Sequence, residues 1–552
     1  MLRHGPELIV GGVRFHAWAP GVDRLAVRVD GVDHAMERGE GGAWRVEVPG
    51  AGHGTRYRLV AAGGEPRPDP ASPWQPEGVH GSSCVFDPGR RAWRTSFAGL
   101  PAQELVFYEL HVGTFTEAGT FDAAAERLAD LAELGVTCVE LMPVQPFPGE
   151  RNWGYDGVYP WAVHEPYGGP AGLQRFVDRA HGLGLAVCLD VVTNHLGPEG
   201  NYSGVFAPYF TPRHRSPWGD GLNLEGPGAA PVRAFFVGAA LRWVRDFRVD
   251  ALRLDATHTI TDASPRHLVA EIAEELRGEA ARSSRHIQVV AEDERNDRRV
   301  LDPPPAGWGC TAVWADDLHH AIHALVTGER ARFLADFGPP EEVAEALGHG
   351  FAYRGRHSRH RNRAHGTGVE GLAPWRFVVC DQNHDQVGNR PLGERLSALV
   401  PAEALLPVSA LVLLGSGLPL IFMGEEYAEE NPFLYFTSHT DPALARAVSE
   451  GRRREHAAAA GPEIPDPQDP RTFLRSRLTH RRDGFHGAVR EHYRRCLGLR
   501  RRHLDRIAEA WPAVERDGSA FTLRRPGLTV RANLSARAGA ALPPWGVAIE
   551  EG

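Results

Sequence analysis

The sequence of 552 residues contains no lysine, so all 61 of its basic residues are arginine. That absence excludes a P-loop lysine on nucleotide phosphates and any Schiff-base or pyridoxal lysine. Cysteine is scarce and dispersed: Cys84, Cys138, Cys188, Cys310, Cys380 and Cys496 form no CxxC pair, which argues against structural zinc and against a compact disulfide framework. No unbroken run of 18 apolar residues occurs, and the greasiest stretch, 404–424, is interrupted by Pro and Gly, so it reads as a buried helix and strand. The first residues, MLRHGPELIVGG, lack the apolar core of a signal peptide, and a cytoplasmic location is expected. A basic stripe is also missing: the net charge is −9, which leaves no source for nucleic-acid attraction. The motifs GxSxG, HExxH and a strand-following GxGxxG are absent too, removing the usual signals of serine hydrolases, zinc hydrolases and dinucleotide binders.

What is present organises into three parts. Residues 7–62 alternate apolar and polar positions between Gly and Pro turns, as in Val13, Phe15 and Ala17, which predicts a small β-sandwich. A Pro-, Gly- and Ser-rich connection over 63–104 follows. From about 105 the rhythm becomes apolar strand, loop, amphipathic helix, with strands expected at 105–111, 136–142, 185–192, 249–254, 286–292, 311–315, 375–380 and 419–424. About eight such units predict an α/β fold of the (β/α)8 barrel type, a doubly wound sheet being the alternative. The arginine-rich runs at 451–456 and 492–503 read as solvated helix faces, and the alternation at 519–534 reads as a small terminal β-sandwich. The expected domains are 1–97, an N-terminal β-sandwich; 98–508, the barrel; and 509–552, a small C-terminal β-domain.

Barrel enzymes work at the C-terminal ends of their strands. Four ends here are loaded with polar residues: DVVTNH at the third, RLDATH at the fourth, VVAEDE at the fifth and CDQNHDQ at the seventh. Asp255, Glu292 and Asp385 are thereby delivered to one mouth. Such a cluster suits glycoside hydrolysis, in which one carboxylate attacks the anomeric carbon and a protonated partner supplies the leaving oxygen with a proton. Arg253, two positions before Asp255 on the same strand face, can hold that carboxylate ionised, while Glu292 needs burial and nearby negative charge to stay protonated. A metal reading of His195, His258 and His384 lacks local ligand spacing, and no metal or cofactor is expected. The run 356–365, dense in His and Arg, reads as a mobile surface loop. Trp153 and Tyr155, in the loop NWGYDGV, are candidate sugar platforms.

These four regions, in this order, resemble those of the α-amylase superfamily, glycoside hydrolase family 13. The resemblance implies Asp255 as nucleophile, Glu292 as acid/base and Asp385 as transition-state stabiliser, with Arg253, His195 and His384 at the subsite where the cut sugar sits. Within the superfamily, segments such as YELHVGTFTEAGTFDAAAERL, NWGYDGVYPWAVHEPYGGP and ADDLHHAIHALVTGE are similar to the trehalohydrolases of malto-oligosyltrehalose. That similarity implies a substrate, an α-1,4-glucan ending in trehalose, and a pathway link to the malto-oligosyltrehalose synthase that would make it. Further substrate contacts are expected from Asp190 and Asn194; Leu254, Ala256, Thr257 and His258; Asp316, Asp317, Leu318, His319 and His320; Asn383, Gln386, Val387, Gly388 and Asn389; and Asp156 beside Tyr155. Thr193 and Leu318 stand where the family usually has a tyrosine and an aromatic. The competing readings are a glycogen branching or debranching enzyme of the superfamily and an inactive glucan-binding relative.

Overall fold

The computed structural model describes residues 2–216, 218–457 and 463–552. Eight parallel strands close into a barrel: β1 (Phe107–Leu110), β2 (Cys138–Leu141), β3 (Ala186–Val191), β4 (Ala251–Leu254), β5 (Gln288–Glu292), β6 (Ala312–Trp314), β7 (Phe377–Val379) and β8 (Leu418–Phe422), each paired with its neighbours in the sequence and β8 with β1. The strands are apolar on both faces because one face meets the surrounding helices and the other fills the lumen. Cys138, Cys188, Ala251, Val290, Ala312, Val378 and Leu418 belong to the packed lumen, so the cysteines serve as small core residues.

Helices α1 (Phe121–Leu134), α2 (Gly169–Gly182), α3 (Ala229–Asp246), α4 (Leu268–Ser283), α5 (Asp317–Thr327), α6 (Leu405–Leu414) and α7 (Gly484–Arg502) surround the strands. In α1 the spacing of Phe121, Ala124, Leu128 and Leu131 buries one face, the Thr120 side chain caps the start, and Gly135 ends it at φ 109°. The expected β/α alternation fails once: β5 and β6 are joined by a loop with a single short turn, Arg298–Val300. Three consecutive prolines, 303–305, remove the donors and impose the angles that forbid a helix there.

The chain before the barrel forms two four-stranded antiparallel sheets, and the connection after them is laid across the barrel, with the backbone N–H groups of Arg94 and Thr95 donating to Asp178 and Gln288 donating to the Leu100 carbonyl. The stretch 404–424 is buried helix and strand, and no helix among the described residues is long and apolar enough to cross a membrane. Three further expectations need correction. The C-terminal segment is one four-stranded meander, Ala513–Asp517 to Val547–Glu551, packed against α6, and so is not a sandwich. The arginine runs are not wholly solvated: Arg452 and Arg500 are buried and donate to main-chain carbonyls. The helix Leu504–Glu509 also runs across the expected boundary at 508/509.

Candidate active site

The side-chain alternation of β4 turns Arg253 into the lumen, where it is fully buried. Its two terminal nitrogens are divided among three carboxylates: Nη1 donates to Asp190 at 2.9 Å and to Asp255 at 2.7 Å, and Nη2 donates to Glu292 at 2.7 Å. The guanidinium lies 4.4 Å from the ring centre of Trp314 on β6, so its face is covered by an aromatic ring and its edge by acids. Asp255, one residue beyond β4, also accepts from Asn194 at 2.9 Å. The chain then turns sharply. Ala256 adopts φ 40°, a left-handed conformation that costs a residue with a side chain, and this turn aims its N–H at Glu292 Oε2, 2.7 Å away. Thr257, buried, ties the same corner to the Glu292 carbonyl and to Asp293.

Both donors on Glu292 reach Oε2, which leaves Oε1 to carry a proton. Burial pushes this carboxyl well above its ordinary range; Asp255 and Asp385 add to the shift and Arg253 opposes it. Burial also raises Asp190, to about 7. Asp385 lies in the first turn of the short helix His384–Gly388, capped by the Asn383 side chain, and accepts from Asn389 at 3.1 Å. His384 opposes its own burial: desolvation would lower it, but the charges of Glu109 and Asp385 outweigh that and hold it up at about 10. His195 Nε2 donates to the Tyr155 carbonyl at 2.9 Å, its Nδ1 lies 2.7 Å from Asn194 Oδ1, and the half-exposed Trp218 stacks on the ring with centres 4.1 Å apart.

A cavity of about 720 Å³ opens beside this cluster, on the side of the loops after β4 to β7. Glu292, Asp385, His258, Asp316, His320, Gln386 and Asn389 line it, with the aromatic residues Phe333, Phe337 and Tyr353. Several expected contact residues do not face it. Leu254, Leu318 and Val387 are buried apolar core residues, Gly388 is packed against Trp153, and Trp153 itself is 4 % exposed, stacked on Phe433 and edge-on to His384. Their contribution is to set the course of the backbone under the residues that do reach the opening. Asp317 lines the wall but already accepts from Asn296 and from the N–H groups of Ala352 and Tyr353, and the ring of His319 is engaged by the Asp381 carbonyl. Asp156 accepts from Asn152 and lies 3.8 Å from His439, and it does not line the cavity.

Sequence reasoning missed other members of the site. The segment 356–365 is no free loop: His357–Ser358 and Arg363–Ala364 pair as a hairpin, Arg361 bonds Glu294, and His360, Arg361 and His365 line the cavity. Trp314 beneath Arg253, and Glu109 behind His384, were signalled only by their inward parity on barrel strands. Among the described residues, no group of three His, Cys, Asp or Glu side chains is arranged to hold a metal ion.

The alpha amylase catalytic-domain family matches residues 96–207. Malto-oligosyltrehalose trehalohydrolase from Rhizobium sp. (strain M-11) is 42% identical over 548 residues, covering 96% of this chain and 92% of its own length. The protein of the same name from Saccharolobus solfataricus is 44% identical over 478 residues, covering 86% and 83%. An amylase-type crystal structure from Salmonella typhimurium, 41% identical, superposes with a TM-score of 0.91 over 97% of this chain and 94% of that one. With relatives of this identity aligned along nearly its whole length, the chain belongs to the malto-oligosyltrehalose trehalohydrolase family of the α-amylase superfamily.

Proposed function

We propose that the protein is a retaining glycoside hydrolase that cuts the α-1,4 bond between a malto-oligosaccharide and a terminal trehalose, releasing trehalose. The observation that carries the chemistry is the shared guanidinium: Arg253 holds Asp255 and Glu292 on neighbouring nitrogens, each at 2.7 Å. Retaining enzymes keep their two carboxyl groups about 5–5.5 Å apart, without room between them for a water, and a common guanidinium imposes close approach of this kind. In the first step Asp255 attacks the anomeric carbon, the bond to the leaving oxygen breaks, and Glu292 donates its proton to that oxygen, freeing trehalose. In the second, Glu292 removes a proton from water, which attacks the same carbon and restores the Asp255 carboxylate. Asp385 would hold the hydroxyls of the distorted sugar; the ring nitrogens of His384 and His195 are already bonded within the protein, so these rings would shape the subsite and place its other groups.

The cavity lies where the departing trehalose would sit. Its α,α-1,1 linkage leaves no reducing end and bends the second glucose away from the course of a starch chain, so recognition falls to polar groups placed for that bend. His258, Asp316, His320 and Gln386 have free capacity facing the cavity, whereas Asp317 and His319 are occupied in holding α5. The source of the substrate would be a malto-oligosyltrehalose synthase acting earlier. The test is incubation with maltopentaosyl-trehalose and with maltoheptaose: trehalose released from the first at least a hundredfold faster than any cleavage of the second supports the reading, and equal rates would remove it.

A further inference from the structure

Behind the carboxylates lies a second set of buried polar groups. Glu109 on β1 is 1 % exposed, yet both of its oxygens are committed to one residue: Oε2 accepts the backbone N–H of His384 at 2.9 Å, and Oε1 bonds the ring Nδ1. The other ring nitrogen, Nε2, is 2.7 Å from the Tyr155 hydroxyl, which lies 2.6 Å from Asp190 Oδ2, the same oxygen that accepts from Arg253. These contacts fix the direction of each hydrogen bond. Arg253 has only donors, and a proton on Asp190 would sit on Oδ1, the oxygen without a partner, so Oδ2 accepts. Tyr155 has one hydroxyl hydrogen and gives it to Asp190, and its oxygen therefore accepts from His384 Nε2. Nδ1 faces a carboxylate and also donates. A ring that donates from both nitrogens is an imidazolium.

We propose that Glu109 is a positioning residue for the reaction: it holds His384 as a doubly donating, positively charged ring, and through Tyr155 and Asp190 it completes a buried line of hydrogen bonds to Arg253 and so to Asp255 and Glu292. The charge it fixes stands 3.5 Å from the Asp385 carboxylate and so sets the field around that group where positive charge grows on the sugar ring. Glu109 touches neither substrate nor reacting atoms; it acts through His384. Opposite it in the sheet register, Glu140 on β2 is fully buried with neither oxygen partnered, which places it in the barrel as a neutral acid and leaves Glu109 the one carboxylate on β1 and β2 that grips His384.

This inference rests on the proposed hydrolytic reading but not on trehalose as the leaving group, and the experiment separates the two. Glu109→Gln keeps the shape and removes the charge; Glu109→Asp keeps the charge. Full-length wild type and both variants are assayed on maltopentaosyl-trehalose and on an aryl α-maltooligoside, with melting temperatures recorded. The expected result for Glu109→Gln is a fall in kcat of about 30- to 100-fold on both substrates, with KM within about threefold and a melting temperature lowered by no more than a few degrees, so that the protein is fully folded in the assay. Its alkaline limb should move toward lower pH by one unit or more, because the charged and titratable groups facing His384 would then be Glu140, Asp190, Asp385, Tyr155, Arg253 and His111 without the anchoring carboxylate. Glu109→Asp should keep the wild-type alkaline limb at a reduced kcat. A Glu109→Gln enzyme with unaltered kcat and pH profile overturns the proposal, as does a loss of activity that tracks loss of folded protein while the profile stays put. Failure to release trehalose, with the variant effect intact on the aryl substrate, would instead overturn the trehalose reading.

Discussion

At the scale of single residues the site depends on carboxyl groups that differ in environment. Asp255 is held by Arg253 and Asn194, while Glu292 is pressed by burial and by two neighbouring acids toward its protonated form. Asp255→Asn, nearly isosteric, should fold as the wild type does and lose at least about three orders of magnitude in kcat, checked by steady-state rates beside circular dichroism. Glu292→Gln should lose as much on the natural substrate. On an aryl glycoside whose leaving group needs no proton, its burst phase should survive, and equal losses on both would assign proton donation elsewhere. His384 carries a further consequence. Its folded pKa of about 10 lies above the unfolded value near 6.5, so the stability its charge contributes is fully present below pH 6.5 and is lost as the pH rises through 10. The shift corresponds to a few kcal/mol. The unfolding free-energy gap between wild type and His384→Gln, measured by denaturant titration, should therefore be widest at pH 6 and shrink toward pH 10.

At the scale of elements, two arginines far from α6 in the sequence meet its end. Arg500 from α7 donates to the Leu413 and Gly417 carbonyls, and Arg525 from the C-terminal sheet donates to those of Leu414 and Gly415. Burial lowers them to about 9 and about 10, yet they remain charged at neutral pH and oppose the negative end of the helix. Arg500→Met should remove about 3 kcal/mol by leaving carbonyls unpaired, lowering the denaturation midpoint without changing the slope. Arg500→Lys should recover little, since one ammonium cannot match a planar fork. The same residue shows where sequence reading stops. HYRRCLGLRRRH presents a run of like charges, and nothing local distinguishes the arginine that turns inward from the four that do not. The barrel strands and α1 were legible because apolar periodicity and caps are local; the missing helix between β5 and β6 was legible in hindsight from its proline run. Glu109 was visible only as a polar residue inside LVFYELH, and its partner lies 275 positions away. The hairpin at 357–364 lines the cavity because Arg361 pairs with Glu294, another contact set by the fold and not by neighbours in the chain.

At the scale of the whole molecule, a closed barrel gathers groups from β1, β3, β4, β5 and the turn after β7 around one guanidinium, and the loops after β4 to β7 enclose the space for a leaving group. The triad was readable at the strand ends because each carboxylate abruptly ends an apolar run; the groups that orient it were not, because inward direction depends on register. The central claim joins three statements: the bond cut is the one to the anomeric carbon, the configuration is retained, and trehalose departs. One measurement addresses all three. Hydrolysis of maltopentaosyl-trehalose in water enriched in oxygen-18 is followed by mass spectrometry, with early proton NMR of the products. The account predicts unlabelled trehalose and a malto-oligosaccharide bearing one oxygen-18 at its new reducing end, first seen as the α anomer. Label in the trehalose, a β anomer formed first, or a product mixture without trehalose would contradict it.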